Sequence, residues 1–204
     1  VCAWISDSDV DAWDISVEAM ANSTVDALLV AISAAVSGGF SGIAASGAGV
    51  GLDNKVAIQV NAYIEGKFSN ESNGIDARGN VTVNAEDTSM ITARGWAVTL
   101  AASGGAYTAS VAVDVAEVHS LITSDVEAWL RGTTVRALNG NLSVLASEDA
   151  TIDAVARAAA VAAAFSLGTS PSGGGGNTSS RVQTTTKAFI ESSTVTLGGD
   201  LTLS

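Results

Sequence analysis

The 204 residues carry 9 Lys plus Arg against 21 Asp plus Glu, a formal charge of −12, and are 47% hydrophobic but only 5% aromatic. That balance argues against nucleic acid, whose binding rests on cations at phosphates, and against anionic membrane surfaces. The one cysteine, Cys2, excludes an internal disulfide and a cysteine-based zinc site. The apolar content is mostly Ala, Val, Leu and Ile, with 21 Gly, so a core built from it brings its backbone layers close together.

The chain opens on a short alternating segment, Val1-Cys2-Ala3-Trp4-Ile5, followed by Val10-Asp11-Ala12 and Val25-Asp26-Ala27. All three recur in the same order. The first returns as Val60-Asn61-Ala62-Tyr63-Ile64, Val126-Glu127-Ala128-Trp129-Leu130 and Thr186-Lys187-Ala188-Phe189-Ile190. The second returns as Ile75-Asp76-Ala77, Val135-Arg136-Ala137 and Val195-Thr196-Leu197, the third as Ile91-Thr92-Ala93 and Ile152-Asp153-Ala154. Removing an insertion around Lys67 to Asn73 leaves a period close to 60 residues. This divides one continuous array, 1–204, into units of approximately 1–59, 60–125, 126–185 and a partial 186–204. A fixed period of this kind is the mark of a stacked repeat.

Alternation predicts strands throughout. Val60, Ala62 and Ile64 share one face, and Asn61, Tyr63 and Glu65 the other. Val81-Thr82-Val83, Leu142-Ser143-Val144 and Leu201-Thr202-Leu203 alternate likewise, each after a Gly, Asn or Asp turn such as Gly79-Asn80 or Asn139-Gly140-Asn141. The Ala-rich stretch Ala154 to Phe165 suits a helix by propensity. Its repeat partner, Ile91 to Leu100, contains Gly95, Trp96, Val98 and Thr99 and suits a strand, so strand is expected for both. In these long strands one phase is small (Ala93, Gly95, Ala97). The other turns from polar to apolar (Arg94, then Trp96, Val98, Leu100). A strand that leaves a solvated rim and enters a region buried on both faces is therefore expected. Gly173 to Gly176 is read as a flexible surface loop.

The fold class expected is all-β, a parallel β-solenoid of ~60-residue repeats. Each repeat makes either three coils of about 20 residues or one wide coil with long strands. An array of antiparallel β-sandwich modules is the alternative, but it would carry a large buried aromatic, for which there is no good candidate. Neither terminus reads as a cap, so an excerpt of a longer array, or a subunit docked on neighbours, is expected, with any export signal or anchor lying outside the chain. The apolar run Ala154 to Leu167 contains Arg157 and is too short for a helical span; no membrane insertion is expected.

The Ala-aromatic-Ile strand (Ala62-Tyr63-Ile64, Ala128-Trp129-Leu130), the turn before Asn80 to Val83, and the Ala/Gly stretches Ser41 to Gly51 and Ala101 to Gly105 resemble the repeat regions of giant bacterial surface and secreted adhesins. These are filamentous-haemagglutinin-like β-solenoid proteins. The resemblance implies an extracellular or cell-surface fibre protein of Gram-negative type, and it transfers no catalytic residue.

The sharpest candidate site is an aromatic ladder, Trp4, Tyr63, Trp129 and Phe189, opposite the Ala/Ile core. It reads as a surface stripe, as a lateral contact between fibres or subunits, or as a sugar-stacking platform. Cys2 shares a repeat position with Asn61, Glu127 and Lys187, which predicts an exposed thiol. His119, the one histidine, matches Asp53 at an expected turn, without a nucleophile partner. Asp53, Asn54, Asp76 and Asp87, taken as turn residues, offer oxygen ligands of the kind calcium uses, but the nonapeptide calcium repeat is absent. Five Asn-x-Ser/Thr sequons (Asn22, Asn70, Asn80, Asn141, Asn177) need a eukaryotic-type secretory route to matter. No phosphate loop follows Gly176, and Thr194-Val195-Thr196 is too isolated for an ice-binding face.

The expectation is a structural module of an extracellular fibre or adhesin stalk, with no catalysis, cofactor or metal. It would self-associate or stack on neighbouring repeats of a longer chain. A glycan- or calcium-binding adhesive module, with host or matrix glycans as partners, is the alternative. A β-helix polysaccharide lyase or epimerase is less well supported, because cations are scarce and no unit departs from the pattern.

Overall fold

The computed structural model describes residues 1–66, 74–165 and 167–204. The insertion at Lys67 to Asn73 and the sequon asparagine Asn70 lie outside the described residues.

The chain is a parallel β-solenoid, and the ~60-residue period is one wide coil. The strands are β1 (Cys2–Ser6), β2 (Val10–Ala12), β3 (Ile15–Gly38), β4 (Ser41–Glu65), β5 (Gly74–Ala77), β6 (Val81–Gly104), β7 (Tyr107–Arg131), β8 (Thr134–Ala137), β9 (Leu142–Phe165), β10 (Ser172–Glu191), β11 (Thr194–Leu197) and β12 (Leu201–Leu203). They form three four-stranded parallel sheets, ordered β1-β4-β7-β10, β2-β5-β8-β11 and β3-β6-β9-β12. We call them the A, B and C sheets. In each coil a long C strand runs outward, reverses at a tip, and returns as a long A strand. A short B strand then closes the base. The coil is a flat two-layered arm on a three-sided foot.

The repeat motifs stack in register. Ala3, Ala62, Ala128 and Ala188 form one column. Ala12, Ala77, Ala137 and Leu197 form a second, and Ala27, Ala93 and Ala154 a third. The Ala-rich segment is strand in β9, as its partner in β6 requires. Propensity for helix is overridden because a helix there would leave the ladder edge of β6 unpaired.

The core narrows from foot to tip. Three sheets meeting at the foot leave a wide space, filled by Ile64, Leu130, Ile75, Val135, Val81 and Leu142, all buried. Along the arm only two sheets face each other, and the filling shrinks to Val50, Ala97 and Ala116, then to Ala44, Ala101 and Ala112. Gly95 marks how close the layers lie: a Cβ there would sit 3.0 Å from Val118 Cγ2 and 3.2 Å from Val50 Cγ1. At the tip, Gly39 and Gly105 have φ of 142° and 151°. A Cβ on Gly105 would strike the carbonyl oxygen of Gly39, so the reversals of the first two coils require glycine there.

Three expectations are corrected. The second phase of the long strands is not buried: Trp96, Val98 and Leu100 point outward and are 42%, 39% and 45% exposed. Two stacked layers give each strand one inner and one outer face, and among the described residues nothing covers the outer one. Gly173 to Gly176 is not a loop but the start of β10, paired with Val113 to Ala116. His119, Asp53, Asn54, Asp76 and Asp87 are not turn residues; all lie within strands.

Candidate functional site: the aromatic column and its surroundings

The A-sheet register places Trp4, Tyr63, Trp129 and Phe189 in one outward column. Because parallel in-register strands repeat every ~4.8 Å, identical rotamers bring the rings face to face. Trp4 and Tyr63 are 6.3 Å apart at 13°, Tyr63 and Trp129 4.4 Å at 2°, and Trp129 and Phe189 5.8 Å at 5°. Arg131 lies with its guanidinium carbon 5.8 Å from the Phe189 ring centre. The faces of the inner rings are thus occupied by one another, and ring edges point to solvent. Trp129 Nε1 is buried in the stack without an acceptor.

Charged columns flank the rings. On one side Lys187 Nζ donates to Glu127 Oε1 at 2.6 Å, a bond that raises the Lys187 pKa above its ordinary value. On the other, Arg131 Nε donates to Glu191 Oε2 at 2.9 Å. Cys2, exposed, heads the first of these columns, its sulfur 3.9 Å from Asn61 Nδ2.

The remaining candidates are not brought together. Asp53 points outward on β4. Asn54 points inward and is nearly buried. Asp76 lies 3.8 Å from Arg136 on the B sheet. Asp87 is fully buried, accepting from Ser89 Oγ at 2.9 Å and Ser124 Oγ at 2.6 Å. Among the described residues no group of three or more His, Cys, Asp or Glu is placed to hold a metal ion. His119 stands in a column between Asp53 and Ser179, three residue types familiar from hydrolases. Its Nε2, however, lies 2.9 Å from Glu117 Oε1, on an open sheet face.

Two features escaped the sequence reading. One is a second ladder at the corner leading into the C sheet. Asn80 N–H donates to Asp14 Oδ1 at 2.6 Å, Asn141 N–H to Asn80 Oδ1 at 3.0 Å, and Asp200 N–H to Asn141 Oδ1 at 2.7 Å. The turn residues were visible in the sequence; their use as links between coils required the register. The other is Glu148, which faces Asp87 from the adjacent coil. Burial, then the Asp87 carboxylate, raise its pKa above the ordinary 4.5, with the Thr184 and Thr186 hydroxyls working the other way.

No family model, curated protein or solved structure matches this chain.

Proposed function

We propose that the chain is a structural module of an extracellular fibre or of the stalk of a large surface adhesin, and that it acts by extending a rod rather than by catalysis. The observation that supports this is the uninterrupted stacking of equivalent residues along one axis. The alanine columns, the aromatic column and the Asn/Asp corner ladder each link one coil to the next. In such an architecture each repeat is stabilised by its neighbours, so length can grow without new contacts being designed. The terminal coils present long strand edges: β3 and the part of β4 that β1 does not cover on one side, β10 and the part of β9 that β12 does not cover on the other. An edge of this length is a template for another strand of the same geometry. The resemblance to filamentous-haemagglutinin-like repeats agrees with this reading.

The glycan alternative would rest on the aromatic column, whose inner ring faces are already covered by stacking. Electron microscopy tests the proposal: unbranched rods with a ~4.8 Å axial spacing are expected. Compact particles that do not lengthen with protein concentration or repeat number would overturn it.

A further inference from the structure

The outer faces of the arm, between mid-strand and tip, are apolar on both sides. On the C sheet the outward columns carry Leu28, Val30, Ile32, Trp96, Val98 and Leu100, from 39% to 76% exposed. On the A sheet the same depth of arm is nearly flat. Gly47 and Gly49 face outward, stacked on a ridge of Val113 and Val115, with Gly173 and Gly175 beyond it. One face is knobbed and the other is shallow. An apolar exposed area of this extent in a chain of charge −12 marks a contact surface.

Charge at the inner border of the two faces says what covers them. Going from tip to foot, the C face carries Arg157 and Arg94, then Asp153 and Asp26, in successive outward columns. The A face carries Glu117, then Asp53, then Lys55 and Arg181. The depths correspond, because the Gly95 position lies against Val50 and Val118. The order is therefore cation then anion on C, and anion then cation on A.

We infer that a second copy of this chain covers these faces, the C face of one arm lying on the A face of the next, tips pointing the same way. A translation along the sheet normal generates this contact. It keeps depth and coil level, sets the knobs on the glycine face, and brings Arg94 and Arg157 opposite Glu117 and Asp53. Because two different faces meet, the contact is heterologous and repeats laterally without closing. Eleven residues of strand across three coils cover roughly 500 Å² per partner at the usual strand spacings, near the ~1,000 Å² total of a specific interface. This association adds a lateral direction to the axial rod proposed above and does not depend on it.

The test uses thiols in a Cys2→Ser background. Ala102→Cys lies on the C face and Ala109→Cys on the A face, at matching depth, both partly exposed. Under mild oxidation, a mixture of the two variants is expected to form an intermolecular disulfide heterodimer. Each variant alone is expected to stay uncross-linked. Adding Val98→Lys, which sets an unpaired charge in the contact, is expected to lower the yield about tenfold, and far-ultraviolet circular dichroism checks that each variant keeps the fold. Cross-linking of Ala102→Cys with itself would mean that C faces pair with each other and would overturn the inference. A mixed yield insensitive to Val98→Lys, or no mixed product from folded variants, would do the same. Axial stacking contributes to neither product, so the rod proposal stands or falls separately.

Discussion

Trp129 is sandwiched between two rings, whereas Trp4 has a ring on one side only. Each aromatic pair contributes about 0.5–1.5 kcal/mol beyond burial. Trp129→Ala is therefore expected to cost roughly 2–4 kcal/mol in chemical denaturation and Trp4→Ala about 1 kcal/mol or less. Trp129→Phe should be close to neutral, because the indole N–H has no acceptor to lose; a large loss would show that the nitrogen matters. Glu148 gives a pH signature. Its folded pKa is raised, so the folded chain binds the proton more tightly than the unfolded chain. The favourable contribution is present below the ordinary value of 4.5 and is lost as pH rises through the raised value. Glu148→Gln should raise the thermal midpoint at neutral pH and have little effect at pH below 4.5. An equal gain at both pH values would assign the effect to packing instead. The aromatic column was legible in the sequence because four aromatics recur at one position of a short motif. Glu148 was not, because its neighbour Asp87 lies 61 residues away and only the register of β6 with β9 joins them.

Among the elements, the corner into the C sheet is held by side-chain carbonyls that take the place of backbone acceptors. Asn80→Ala removes the bond accepted from Asn141 N–H and is expected to cost about 1 kcal/mol. Asn80→Asp should cost less, since Asp14 already serves in the same column. Amide hydrogen exchange at Asn141 reads the link directly, and unchanged protection in Asn80→Ala would show that it contributes nothing. The long strands were legible in position and type, since alternation and the repeat agreed. Their outward apolar phase was misjudged as buried. An alternating segment with apolar residues in both phases reads the same whether its outer face is covered by the same chain, by another copy or by nothing. Composition alone could not distinguish these cases. Gly173 to Gly176 was misjudged for a related reason: four glycines resemble a loop, yet the register of β10 on β7 holds them in a continuous ladder along one side.

At the scale of the whole molecule, the taper from Ile and Leu at the foot to Ala and Gly at the arm fixes the shape: three sheets where the filling is large, two close layers where it is small. The period of 60 residues was visible in the sequence. The number of turns it makes was not, because periodicity reports how far apart equivalent residues lie along the chain and not the path between them. That path, one wide coil per period, is what puts Cys2 beside Asn61 across 59 residues of sequence. The most direct check uses this native thiol. In Asn61→Cys, mild oxidation should close an intramolecular disulfide with Cys2 rapidly and nearly completely, since registered neighbours at ~4.8 Å fall within the Cα separation that a disulfide spans. Glu127→Cys, two coils away, should not cross-link. A slow or absent disulfide in Asn61→Cys, or one formed as fast in Glu127→Cys, would contradict the stacking on which the account rests.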